Sequence, residues 1–172
     1  MSGKGRFWVW FVMIFVFGAL SLYLDSKYFP ELFPSFWFHL ITFIPGVVLM
    51  WFVMRVSRTT GRTLAKYGRE GDIPRFETNR LVDKGPYAYM RHPMHLGLLF
   101  APVAWGLILG SPFFMLVFAP LEVFFILLMI QLIEEPEARK KFGEEYDEYI
   151  KDKPWFCLKP ECLKELLKDK IE

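Results

Sequence analysis

The chain has 172 residues, about one domain's worth, with 53% hydrophobic, 19% aromatic and 23% charged residues and a net charge of +2. That balance leaves no global footprint for nucleic acid, and two cysteines are too few for a disulfide scaffold. All 21 Lys and Arg fall outside four apolar runs, and Glu122 is the one acid inside them, which excludes a disordered chain and a simple soluble globule. The segregation predicts an all-α polytopic membrane protein of about four transmembrane helices, with sizeable water-facing segments.

The runs cover 7–24, 36–54, 96–110 and 113–133. A helix crosses a bilayer with about 20 apolar residues, so the first, second and fourth qualify and the third is short. The first run is longer than a signal-peptide core and lacks a small-residue cleavage site after it. Gly110-Ser111-Pro112 makes a tight break, so the last two runs form a helical hairpin. Lys and Arg number 20 on the side of both termini and the 55–95 connection, against Lys27 alone on the other. Cytoplasmic segments carry the basic excess, so both termini and the long connection are expected in the cytoplasm. Trp8, Trp10, Trp37 and Trp51 lie near run ends, where interfacial aromatics belong.

The 55–95 connection is too long for a mere turn. Arg55, Arg58, Arg62 and Lys66 recur at helical spacing, which extends the second helix out of the membrane until Gly68, Gly71 and Pro74 break it. Its basic face suits anionic headgroups or a bound phosphate or carboxylate, and Arg55 and Arg58 are candidate substrate contacts. The stretch 80–97 then gathers Tyr87, Tyr89, Arg91, His92 and His95 at the mouth of the third run, with Pro86 and Pro93 fixing the backbone. Ordering such a segment at a membrane boundary requires protein or ligand packed against it.

The fourth run ends in Glu134-Glu135-Pro136. Adjacent carboxylates there suit an ammonium or ribose hydroxyls, or else the start of a new helix at Pro136. The tail, 134–172, carries Phe142, Tyr146, Tyr149 and Ile150 at helical spacing, predicting an amphipathic helix, and a short surface helix over 162–171. Cys157 and Cys162 fall in this tail, where thiols stay reduced, and two thiols make no zinc site, so no metal is expected. Inside the runs, Glu122 needs a partner or a wet cavity and is a further candidate for substrate contact. His39 and Gln131 are weaker polar candidates, and Pro45, Pro102 and Pro120 suggest kinks.

The run Leu81-Val-Asp-Lys-Gly-Pro-Tyr-Ala-Tyr-Met-Arg-His-Pro-Met-His-Leu-Gly97 resembles the LV-x-x-G-x-Y-x-x-x-RHP-x-Y-x-G element of the isoprenylcysteine carboxyl methyltransferase and phospholipid methyltransferase superfamily. Glu134-Glu135, Phe142-Gly-Glu-Glu-Tyr146-x-x-Tyr149 and Pro154-x-Phe156 resemble its second element, in the same order. The likeness covers roughly 55–160. It implies a membrane-embedded methyltransferase that uses S-adenosyl-L-methionine, releases S-adenosyl-L-homocysteine, and takes a lipophilic acceptor from the bilayer, either a prenylated cysteine or a lipid headgroup. Carried over by position, Asn79, Arg80, Leu81, Val82, Tyr87, His92, Pro93, Met94, His95, Glu134 and Glu135 would line the cofactor site, with Arg91 and His95 as catalytic candidates.

Two positions depart from the superfamily pattern: His95 stands in the usual Tyr slot, and Ile130 stands where prenylcysteine enzymes carry an Arg for the acceptor carboxylate. Transfer from a sulfonium mainly requires positioning. A carboxylate acceptor needs no base, whereas an amine must be neutral and is helped by a base such as His95 or Glu122. Two other readings share the scaffold: an NADPH-dependent reductase of the sterol-reductase type, and a non-catalytic membrane protein.

Overall fold

The computed structural model describes residues 3–74 and 77–168. The elements are α1 (Gly3–Tyr28), α2 (Phe36–Tyr67), a 3-10 turn (Gly85–Ala88), α3 (Pro93–Leu109), α4 (Phe114–Phe142), α5 (Glu144–Tyr149) and α6 (Pro160–Leu167). No strand occurs among the described residues, as the apolar pattern predicts. Three helices, α1, α2 and α4, are long and apolar enough to cross a membrane. At about 1.5 Å per residue, the 17 residues of α3 fall short of a hydrocarbon core roughly 30 Å thick.

The fourth apolar run does not stop at its carboxylates. It continues through Pro136 as one helix to Phe142, so Glu134 and Glu135 lie inside a helix rather than at a new start. The helix survives its prolines by widening. Phe114–Phe118 and Ile130–Glu134 are π-helical turns, closed by Ala119 N–H donating to Phe114 O and Glu135 N–H donating to Ile130 O. Each turn ends two residues before a proline, Pro120 or Pro136. A proline supplies no N–H and its ring clashes with the carbonyl four residues back. The wider turn accommodates both costs and inserts one residue into the helical register. The expected amphipathic helix is likewise divided. Gly143, at φ +56°, ends α4, and Tyr146 and Tyr149 belong to the short α5.

The chain forms two compact units, 1–51 with 99–125, and 52–98 with 126–172. In the first, Phe114, Phe118 and Ala119 are buried against Phe17, Leu24, Val103, Trp105, Leu109 and Phe113. The hairpin between α3 and α4 turns at Gly110, whose φ of +59° favours glycine and whose added Cβ would meet the His39 ring at 2.8 Å. The start of α4 is held by α1. The buried Asp25 accepts from Phe113 N–H at 2.8 Å and from the Ser111 hydroxyl, which itself accepts from Phe114 N–H at 3.0 Å. A side-chain acceptor thereby satisfies helix N-terminal N–H groups that have no intrahelical partner.

In the second unit, α2 runs to Tyr67 as its basic spacing predicts. The face it buries is Val53, Val56, Thr59, Thr60 and Thr63. The Thr60 and Thr63 hydroxyls donate to Val56 O at 2.7 Å and Thr59 O at 2.9 Å, so these residues pack without leaving a donor unpaired. Gly97 lets α3 approach this face, since a Cβ there would meet Val56 Cγ1 at 3.0 Å. The expectation of reduced thiols is not met: Cys157 and Cys162 form a disulfide across Cα atoms 5.9 Å apart. The turn that starts α6 brings the two together, within the separation a disulfide spans. α6 fills the predicted surface-helix region from Pro160 to Leu167, and the predicted Ile171 lies outside the described residues.

Asp25→Ala removes the acceptor of the buried Ser111 hydroxyl and of the part-buried Phe113 N–H. Each buried orphan costs about 1–3 kcal/mol, so the variant should unfold about 2 kcal/mol more easily in detergent while keeping its ligand affinity in the other unit. Chemical denaturation followed by tryptophan fluorescence checks this, and a wild-type midpoint would contradict the capping role.

Candidate functional site

The site grows from the segment between the 3-10 turn and α3. Pro86 starts the turn with a fixed φ, and Tyr87 and Met90 are buried beneath it. Arg91 N–H and His92 N–H then donate to Pro154 O at 3.0 Å and Trp155 O at 3.1 Å. The tail is thus paired as a short extended strap against this segment. Trp155 also packs its ring 5.9 Å from the Arg91 guanidinium and 6.0 Å from the His92 ring. From α5, the Tyr149 hydroxyl donates to Tyr87 O at 2.7 Å and Met90 O at 3.3 Å.

α4 supplies the charge. Arg91 Nη1 donates to both oxygens of Glu135 at 3.0 Å, and His92 Nε2 lies 2.7 Å from Glu135 Oε1. The Arg91 and Glu135 side chains are 17% and 15% exposed, so the pair is largely withdrawn from solvent. Glu134, its half-buried neighbour, acts electrostatically on Tyr87 and His92. Glu135 thus binds this segment directly, and Glu134 is near enough to influence it through its charge. Glu134 closes the π turn over Ile130–Glu134, and Glu135 follows directly on it.

Burial dominates the titration of the surrounding groups. It lowers the His92 pKa from its ordinary 6.5, against the upward pull of Glu135. Burial and the Glu135 carboxylate push the Tyr146 hydroxyl up to about 12. Tyr87 and Tyr149 are raised well above the usual tyrosine range, burial again first, so all three hydroxyls stay neutral donors near pH 7.

Of the residues singled out in the sequence, Tyr87, Arg91, His92, Glu134 and Glu135 come together here. Pro93 is buried at the start of α3, Met94 and His95 follow half-buried, and the His95 ring stands perpendicular to His92 at 5.5 Å. Val82 is buried against Gly68, with Leu81 half-buried before it. Asn79 and Arg80 are exposed and turned to loop building. The Asn79 amide exchanges hydrogen bonds with the Glu70 backbone at 2.8 and 2.7 Å, and Arg80 pairs with Glu70 at 3.5 Å. Arg55 Nη2 donates to Leu167 O at 2.7 Å, which docks α6 on α2, while Arg58 is exposed. Glu122 belongs to the other unit, fully buried, with neither carboxylate oxygen hydrogen-bonded among the described residues.

Two contributors were not assigned to the site from the sequence, the Tyr149 hydroxyl and Trp155. The Tyr-rich element after Glu135 is the signal that could have found Tyr149. Trp155 lies between the two matched positions Pro154 and Phe156 and carried no signal of its own.

Chemically, the arrangement offers two carboxylates, an imidazole held by one of them, and aromatic walls. It also holds a buried donor: Arg91 Nε has no hydrogen-bond partner among the described residues. Such a donor calls for an acceptor from a ligand. Among known proteins, residues 34–145 match the family model for phospholipid methyltransferases. No curated protein and no solved structure matches the chain.

Because folding depresses the His92 pKa, the unfolded chain binds its proton more tightly. The stability this group contributes is full above about pH 6.5 and is lost as the pH falls through the lower folded value. The unfolding temperature should therefore fall between pH 7 and pH 5, and His92→Gln should flatten that fall. Thermal melts across the range check it, and an unchanged slope in the variant would contradict it.

Proposed function

The chain belongs to the phospholipid methyltransferase family, and on that premise we propose that it transfers a methyl group from S-adenosyl-L-methionine to an amine on a lipid-soluble acceptor. The observation that carries this reading is the convergence of Glu134 and Glu135 on the Tyr87–His92 segment. The cofactor bears an ammonium, a carboxylate and an adenine, and the residues present fit each. Glu134 suits the ammonium, the orphan Arg91 Nε–H suits the carboxylate, and Trp155 or Tyr87 suits the adenine. When bound, the cofactor supplies a methyl group already activated on a sulfonium. The chain's own part is to bind, orient and exclude water, with Glu135 holding Arg91 and His92 in place.

The choice of acceptor rests on Ile130 and Arg55. Ile130, in the slot of the prenylcysteine enzymes' Arg, is fully buried. Arg55, one of the candidates to replace that Arg, reaches to the Leu167 carbonyl. Neither favours an acceptor carboxylate. The exposed Arg58 and Arg62 on α2 suit the phosphate of a lipid headgroup instead. The family match gives the reductase reading no support. The basic-residue asymmetry supports a site on the cytoplasmic side.

Calorimetric titration of the detergent-purified protein with S-adenosyl-L-homocysteine tests the cofactor. Micromolar binding is expected, weakened at least tenfold, about 1.4 kcal/mol, in Glu134→Gln. Equal affinity in the variant would overturn the role of Glu134, and no binding by folded wild type would overturn the methyltransferase reading. In proteoliposomes, methyl transfer should go to an ethanolamine headgroup rather than to a prenylcysteine, and the reverse preference would overturn the amine assignment.

A further inference from the structure

We infer that His92 is the proton acceptor of this site, with Glu135 fixing Nε2 and Nδ1 taking the proton that the acceptor nitrogen must lose. The inference rests on the amine reading above. It starts from the ring itself. Nε2 is spent on Glu135 Oε1 at 2.7 Å, and that carboxylate is also gripped by Arg91 through both oxygens at 3.0 Å. Against a carboxylate, Nε2 carries the hydrogen and donates it. A neutral imidazole then keeps its lone pair on Nδ1, which has no hydrogen-bond partner among the described residues. A base oriented by a third group on its far nitrogen is a recurrent way to fix the tautomer that accepts a proton. His92 is locked in more than its ring, because its N–H donates to Trp155 O at 3.1 Å and its carbonyl accepts from Leu96 N–H at 3.0 Å.

The charged and titratable groups around the pair tune it in both directions. Arg91 on the same segment disfavours the imidazolium, and Glu134 and Glu135 from α4 favour it. Tyr146 and Tyr149 from α5 and Tyr87 from the 3-10 turn remain neutral, and His95 from α3 meets the ring edge to face. Burial outweighs the attraction, so His92 is neutral near pH 7 and free to accept. The carboxylates beside it then stabilise the imidazolium once it forms.

The step balances without another reactant. An ammonium acceptor gives one proton to Nδ1 and becomes the neutral amine. Its nitrogen lone pair forms the N–CH3 bond as the C–S bond breaks, and that electron pair stays on sulfur as a neutral thioether. The methylated nitrogen carries the positive charge, and His92 returns its proton to water.

The chain has three histidines, so nitrogen-15 labelling of the imidazoles gives a resolvable spectrum. In wild type with S-adenosyl-L-homocysteine, the His92 ring should show the Nε2–H tautomer at pH 7.5 and gain its second proton at Nδ1, below pH 6.5. Glu135→Gln should mix the tautomers. An Nδ1–H tautomer in wild type would overturn the proposal without any variant having to fold. For catalysis, His92→Gln should bind S-adenosyl-L-homocysteine within threefold of wild type while kcat drops by about 100-fold or more. The acid limb of the kcat profile should disappear with it. A variant that keeps both kcat and the acid limb would overturn the base assignment, whereas failure of wild type to bind the cofactor product would instead overturn the methyltransferase reading.

Discussion

Glu135 receives two N–H···O contacts from Arg91 and a third close contact from His92, all largely out of water. Charges in that setting cost several kcal/mol each unless compensated, and here Arg91 and Glu135 compensate each other while the His92 ring meets the same carboxylate. The joint ties α4 to the segment that enters α3. The rest of the second unit assembles on that joint: the Pro154–Trp155 strap pairs with the backbone of Arg91 and His92, and Tyr149 holds the carbonyls of Tyr87 and Met90. Remove Glu135 and a guanidinium and an imidazole are left without their shared carboxylate in a largely buried site.

The joint depends in turn on a proline. Pro136 cannot donate to the carbonyl four residues earlier, and α4 answers with a π turn over Ile130–Glu134. Directly after that turn Glu135 meets Arg91, while Glu134 acts on Tyr87 and His92 through its charge. Pro120 and the π turn over Phe114–Phe118 repeat the device at the other end of the same helix, where Asp25 and Ser111 cap its start. Two prolines that look like helix breakers in the sequence are register devices in a continuous helix.

What the sequence made legible was whatever depends on one residue at a time or on a period. The apolar runs, the Gly110 hairpin and the extension of α2 follow from composition and spacing, and all three stand. The clustering of Tyr87, Arg91 and His92 with the paired acids was legible through the resemblance to known motifs. What was not legible depends on pairing at a distance. Nothing local says that Asn79 closes a loop on Glu70, or that Arg55 spends an N–H on the last turn of α6. Nor does anything local say that Thr60 and Thr63 are buried, their hydroxyls satisfied by carbonyls one turn back on α2. Cys157 and Cys162 were judged by compartment, whereas the turn into α6 decides their pairing.

The strength of the joint itself is the quantity on which this account turns. A double-mutant cycle on Arg91→Met and Glu135→Gln, read by unfolding free energy and by affinity for S-adenosyl-L-homocysteine, measures it directly. The account predicts that the double variant recovers part of the combined loss, with a coupling of about 1–3 kcal/mol in stability and a matching coupling in affinity. Losses that simply add, within about 0.5 kcal/mol in both readouts, would contradict it.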